Sequence, residues 1–135
     1  MRPECLRLRA SQWEKMLRHA AADAPLEACG LLAGKDGQVQ KVFPMRNAAH
    51  SPVRFRLDPQ EQFDIFSAME ERGLELLGIY HSHPGGPATP SPTDVAEATY
   101  PAVNLILSAA GGKWQGHGYW IEAGGFHEVP LEISK

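Results

Sequence analysis

The sequence predicts an α/β chain: a mixed β-sheet flanked by two longer helices and a short one. Three observations predict it. Short alternating or wholly apolar stretches of strand length recur from Leu6 to Ile133. Two longer stretches carry apolar residues at helical spacing behind start signals. Turn residues join strand candidates directly, as at Lys35-Asp36-Gly37 and Gly124-Gly125.

Leu6 and Leu8 alternate with Arg7 and Arg9 and read as a short first strand. Ser11-Gln12-Trp13-Glu14 reads as a capping box. Trp13, Met16, Leu17 and Ala20 follow on one face of a helix running to about Asp23, with Pro25 marking its end. Cys29 to Gly34 is a short buried strand, and Gln38 to Phe43 returns as a second. Asn47 to Pro52 is loop. Val53, Phe55 and Leu57 alternate with Arg54 and Arg56, which predicts a further strand. Asp58 and Pro59 open the second helix as N-cap and first helical residue, and Gly73 suits its C-terminal end. Leu74 to Tyr80 is an apolar strand leading straight into His81. The proline- and glycine-rich stretch from Pro84 to Pro90 is loop, and Ser91-Pro92 opens a short helix to about Thr99. Val103 to Leu107 is a central strand. Trp114 to Ile121 and Phe126 to Ile133 close the set as two strands.

At 135 residues the chain is long enough for one domain with a real core, spanning 1–135. Hydrophobic residues make up 43% and charged residues 21%, as in ordinary soluble proteins. A formal charge of −3 without a Lys/Arg cluster gives no reason to expect nucleic acid. No stretch approaches the roughly 20 apolar residues of a membrane span, and no signal peptide is recognisable. Cys5 and Cys29 do not make a disulfide framework, so a reducing cytoplasm is the expected location. The oligomeric state is not legible.

The chemistry concentrates in His81-Ser82-His83 and Ser91-Pro92-Thr93-Asp94. On a strand, His81 and His83 point to the same face, with Cα atoms about 6.6 Å apart. Two imidazoles can converge from there on one zinc at about 2.0–2.1 Å. Asp94 could supply a third ligand and leave a fourth position for water, the arrangement of catalytic rather than structural zinc. The same residues have plainer readings. His-x-His can occur on a surface strand, Asp94 can serve the helix dipole, and Ser91 can be only an N-cap. A helix start aimed at the metal would satisfy both readings of Asp94, and Ser91 could donate to a developing oxyanion.

Metal-assisted hydrolysis also wants a general base beside the attacking water. Asp58, Glu61, Asp64, Glu70, Glu71 and Glu75 fall on or beside solvated helix faces. Glu27 differs, because it sits between Pro25 and the buried run Ala28-Cys29-Gly30-Leu31-Leu32. Spacing alone leaves it as either a functional carboxylate or a turn residue.

Taken together, Glu27…His81-x-His83-x7-Ser91-x2-Asp94 resembles the JAMM signature of the MPN/Mov34 zinc metalloprotease family. Glu27 to Gly34 is similar to that family's glutamate segment. Asn47-Ala48-Ala49-His50-Ser51-Pro52, with Phe55 and Asp58, is similar to its middle segment. The likeness spans roughly Leu6 to Leu107. It implies a cytidine-deaminase-like MPN/JAMM domain. It further implies that His81, His83 and Asp94 ligate one Zn2+ per chain, that Glu27 deprotonates the attacking water, and that Ser91 stabilises the oxyanion. The reaction implied is hydrolysis of a peptide or isopeptide bond at the C-terminus of a ubiquitin-like protein. Brevity makes the chain resemble compact prokaryotic members that process β-grasp sulfur-carrier proteins. A carrier tail would lie as an added strand along a sheet edge near the metal. Cys29 would be a spectator.

The alternative is a non-catalytic module that binds a carrier or its partner enzyme; the intact ligand set with Glu27 argues against it. A deaminase would display His-x-Glu and a later Pro-Cys-x-x-Cys, and neither is present. His19, His50, His117 and His127 lack ligand spacing and read as satisfied or solvated residues. Trp114, Tyr119 and Trp120 read as packing.

Overall fold

The computed structural model describes residues 2–135. Eight strands form one sheet, and three helices join it. In chain order these are β1 (Leu6–Arg9), α1 (Ala10–Asp23), β2 (Cys29–Lys35), β3 (Gln38–Met45), α2 (Pro59–Glu71), β4 (Glu75–His83), α3 (Pro92–Glu97), β5 (Val103–Ser108), β6 (Gln115–Glu122), β7 (Gly125–Val129) and β8 (Leu131–Ser134). The strand order is β7-β6-β5-β4-β2-β3-β1-β8. Pairs β4/β5, β1/β3 and β1/β8 are parallel and the others antiparallel, so the sheet is mixed as predicted.

The β2–β3 hairpin turns at Asp36 and Gly37, whose φ values of 51° and 77° are the left-handed pair that a tight hairpin requires. β4 has to be buried on both faces, and its residues 78–83 are. Against one face lies α1, which buries Met16 and Ala20 with Leu6, Leu8, Leu32, Tyr80, Leu105 and Leu107. Against the other lies α2, where Ile65 and Phe66 pack on Cys29, Leu31, Met45 and Ile79. Strand alternation therefore sends Tyr80 toward α1 and Ile79 toward α2.

On β2 the Tyr80 ring of β4 covers the glycine opposite it. Gly30 faces Tyr80 across the ladder, and a Cβ at Gly30 would sit 2.2 Å from the Tyr80 ring. That ring is fully buried and its hydroxyl lies 2.7 Å from His19 Nδ1, so it has nowhere to go. Gly30→Ala is accordingly expected to cost about 3 kcal/mol of stability through overpacking. Urea unfolding measures it; an unchanged midpoint would show that the ring moves aside freely.

Three expectations need correcting. The first helix starts two residues earlier than the Ser11 signal implies. β1 runs directly into α1 with Arg9 as N-cap, and the Gln12 side chain accepts the Arg9 amide at 2.8 Å. Gln12 also donates to the Val39 carbonyl at 3.1 Å, so the cap is tied into the sheet. The strand expected over Val53–Leu57 is absent; only an isolated bridge between Asn47 and Leu57 forms. Its backbone groups go instead to the Asn47 side chain, and Val53 is exposed. Finally, the run Phe126–Ile133 breaks at Pro130, which cannot donate to a ladder. β7 stays beside β6, whereas β8 pairs with β1. β7 and β8 are one residue apart yet stand at opposite ends of the strand order, so the sheet curls until its edges meet.

No helix among the described residues is long and apolar enough to cross a membrane.

Candidate metal centre

His81 and His83 end β4 and point to the α2 face, while Ser82 points to the other. Ser82 has its own task. Its hydroxyl accepts the Ala28 amide at 2.8 Å, and its amide donates to the Ala28 carbonyl at 3.0 Å. This fixes the entry to β2 and so sets Glu27, one residue earlier, beside the histidines. α3 starts with a capping box, in which Ser91 Oγ accepts the Asp94 amide at 3.1 Å and Asp94 Oδ2 accepts the Ser91 amide at 2.9 Å. That cap locks the Asp94 side chain on the side of the histidines. The cap and site readings of Asp94 are one and the same arrangement.

Three donor side chains converge. His81 Nε2 and His83 Nε2 lie 3.2 Å apart. Asp94 Oδ2 is 3.0 Å from His83 Nε2, and Oδ1 is 3.3 Å from His81 Nε2. A tetrahedron with bonds of about 2.0–2.1 Å has edges of roughly 3.3 Å, so the donors are spaced for one small ion. His83 Nδ1 is 2.8 Å from the Pro87 carbonyl, the outer contact that holds a ligating imidazole with Nε2 turned inward. His81 Nδ1 is buried without a hydrogen-bond partner. Its ring is held instead by Phe55, stacked at 4.4 Å and 20°.

Glu27 is 2% exposed, and its Oε1 has no hydrogen-bond partner. A buried carboxylate oxygen without a partner is costly, and such an orphan needs a reason. One Glu27 oxygen lies within 4.8 Å of ring nitrogens of both His81 and His83. Glu27 could therefore be counted as a ligand itself. The Asp94 oxygens stand closer to both rings, and Glu27 makes no direct hydrogen bond with them.

The electrostatics follow from burial and crowding. Burial pushes the Glu27 carboxyl up to about 7, helped by Asp94 and opposed by His83. Burial also pulls His81 below the ordinary imidazole value against the pull of Asp94. For His83, the Asp94 carboxylate and the Pro87 carbonyl outweigh burial, so its value is raised. Asp94 is likewise penalised by burial, but hydrogen bonds from His81 and His83 hold it far below the usual carboxylate range.

All five candidate residues are thus brought to one place. Glu27, His83 and Ser91 line a groove of about 780 Å³ whose other walls are mainly Pro25, Pro52, Pro84, Pro87 and Pro90. The loop carrying those last three prolines is held from β5 and β6. Ser108 Oγ donates to the Gly86 carbonyl, and Tyr119 Oη donates to the Ala88 carbonyl at 2.8 Å. Tyr119 is therefore a loop anchor as well as a packing residue. Sequence reading passed over Asn47, Phe55, Ser108 and Tyr119 as parts of the site. Only Asn47 and Phe55 carried a signal, as members of the middle segment.

The other histidines lie elsewhere. His19 bonds Tyr80 and Asp23, and His117 pairs with exposed Glu128. Cys29 is buried opposite His81, with its thiol pushed up to about 12 by burial.

Comparison with known proteins gives consistent likenesses. Residues 9–123 match the family described as prokaryotic homologs of the JAB domain. The chain is 38% identical over 130 residues to the CysO-cysteine peptidase of Mycobacterium tuberculosis, covering 93% of this chain and 89% of that one. It is 36% identical over 119 residues to a desampylase of Haloferax volcanii, covering 83% and 86%. A solution structure of a protein from Desulfitobacterium hafniense superposes with a TM-score of 0.87 at 37% identity, covering 96% and 93%.

Proposed function

This chain belongs to the family of prokaryotic JAB-domain homologs, and on that premise we propose that it is a zinc-dependent metallopeptidase. Its substrate is a ubiquitin-like β-grasp sulfur-carrier protein, cut by hydrolysis of a peptide or isopeptide bond at the carrier's C-terminus. One observation carries the reading. Three donors spaced 3.0–3.3 Å apart face a buried carboxylate whose Oε1 has no partner. The relatives named as a CysO-cysteine peptidase and a desampylase support the substrate class.

His81, His83 and Asp94 would hold the ion, through two imidazole nitrogens and a carboxylate. A zinc ion there supplies Lewis acidity, which polarises a carbonyl and makes water nucleophilic near neutral pH. The chain's own residues do the rest. Glu27 receives the proton of the attacking water on Oε1, a buried carboxylate oxygen with no hydrogen-bond partner beside the three donors. It returns that proton to the leaving amine. Ser91 Oγ already accepts the Asp94 amide, so its own proton is free to donate to the developing oxyanion. The proline walls of the groove add no charge of their own beside the site.

The test is direct. Zinc-loaded protein is incubated with a β-grasp carrier extended beyond its Gly-Gly end, with Glu27→Ala as control, and mass spectrometry reads the carrier's C-terminus. Trimming after Gly-Gly, absent from the control, is the expected result. A carrier bound tightly and left intact would replace this reading with a binding module. Metal analysis of the purified protein checks the identity of the ion.

A further inference from the structure

We propose that Asn47 is a positioning residue for this centre, acting on Glu27 and His81 through a single buried amide. The inference rests on the metal-site reading above and adds a residue to it. Asn47 is 6% exposed, and its side chain makes five hydrogen bonds. Its Nδ2 donates to the carbonyls of Glu27 at 3.1 Å, Arg54 at 3.0 Å and Ser51 at 3.4 Å. Its Oδ1 accepts the amides of Ala49 at 2.9 Å and Arg56 at 3.0 Å. Three carbonyls at one end and two amides at the other leave only one orientation of the side chain.

Two arms reach the site. The first holds the Glu27 peptide from both sides, because its carbonyl accepts from Asn47 while its amide donates to the Ser51 carbonyl at 2.9 Å. The second passes through residues 54–56. Asn47 binds the carbonyl of Arg54 and the amide of Arg56, and Phe55 between them stacks on the His81 ring. That stack stands where His81 Nδ1 lacks a hydrogen-bond partner, so ring orientation depends on it. Asn47 thus touches both the Glu27 backbone and the segment that carries Phe55.

Asn47→Ala tests it, with cobalt(II) as the probe. Loss of the outer support should weaken cobalt affinity about tenfold and shift its visible ligand-field bands. In the carrier assay kcat should fall about 30-fold or more with KM within about threefold, since Asn47 touches no substrate. A purely structural residue would lower the melting temperature and leave the cobalt spectrum and kcat of folded protein at wild-type values; that result overturns the proposal. Should Asn47→Ala fail to fold, Asn47→Ser and Phe55→Leu carry the test. Cobalt affinity reduced in both supports it, and wild-type affinity and spectrum in both refute it. The cobalt titration needs no substrate. Wild-type protein that cleaves no carrier would therefore sink the peptidase reading while leaving this inference to its own result.

Discussion

Glu27→Gln is expected to lower kcat by about 10²–10⁴-fold while the protein still binds one metal ion per chain. The amide fills the same space but cannot accept the water's proton, and the three closely spaced donors are untouched. The substitution has a second consequence of opposite sign. In chelator-treated protein the Glu27 carboxyl stands near 7, raised by burial, against an ordinary value of 4.5. A carboxyl whose folded value is raised favours the fold below about pH 4.5, and that favour is lost as pH rises through 7. Above pH 7 the buried charge therefore costs the wild type about 2–3 kcal/mol, and Gln removes that cost. Glu27→Gln and wild type should unfold alike at pH 4.5, and the variant should be more stable at pH 8. Denaturant melts at the two pH values, paired with single-turnover assays, decide both halves. Retained turnover would remove Glu27 from the mechanism, and equal stability at pH 8 would mean that the carboxylate is solvated.

Asp94→Asn is expected to fail in the other way, through loss of the ion. Metal affinity should fall at least about a hundredfold, beyond the usual effect of losing an outer-shell contact. Among the described residues Asp94 is the only anionic donor within 3.3 Å of both histidine nitrogens, and its Oδ2 also accepts the Ser91 amide. An amide in its place must aim an NH2 group at one of those partners. Competition against a chromogenic chelator reads the affinity. Affinity near that of the wild type would make Glu27, also within 4.8 Å of both rings, the third ligand instead. The two variants thus separate the carboxylate that moves a proton from the one that holds the ion.

Much of this centre was legible in the sequence because its order is local. His81 and His83 share a face by strand alternation alone, and Ser91 reads as an N-cap with Asp94 in the first turn of its helix. The second helix was equally readable. Asp58 accepts the Gln60 and Glu61 amides at 3.0 Å, and Gly73 takes a φ of 66° past the end of α2. What was not legible depends on contacts across long stretches of chain. Val53, Phe55 and Leu57 alternate like a strand, yet one asparagine side chain takes over the backbone groups that a ladder would have used. The start of α1 was misplaced because a glutamine from inside the helix caps it, where the usual signal is a short polar residue at the N-cap. The departure of β8 from β7 turns on Pro130 and on a partner strand at the far end of the chain. Glu27 was narrowed by its place beside a core strand and identified only through the family resemblance.

The meeting of the sheet's two edges has a consequence for how the protein is made. β8 pairs with β1, so Leu6 must wait for Leu131, synthesised about 125 residues later. At 5–20 residues per second that delay is roughly 6–25 s. Until then one side of the first strand has no neighbour, and Leu6 and Leu8, both buried in the finished protein, lack part of their cover. The nascent chain therefore carries an open β-edge until β8 has been made, the exposure that chaperones and aggregation both exploit. Every residue of the centre emerges before that edge is sealed.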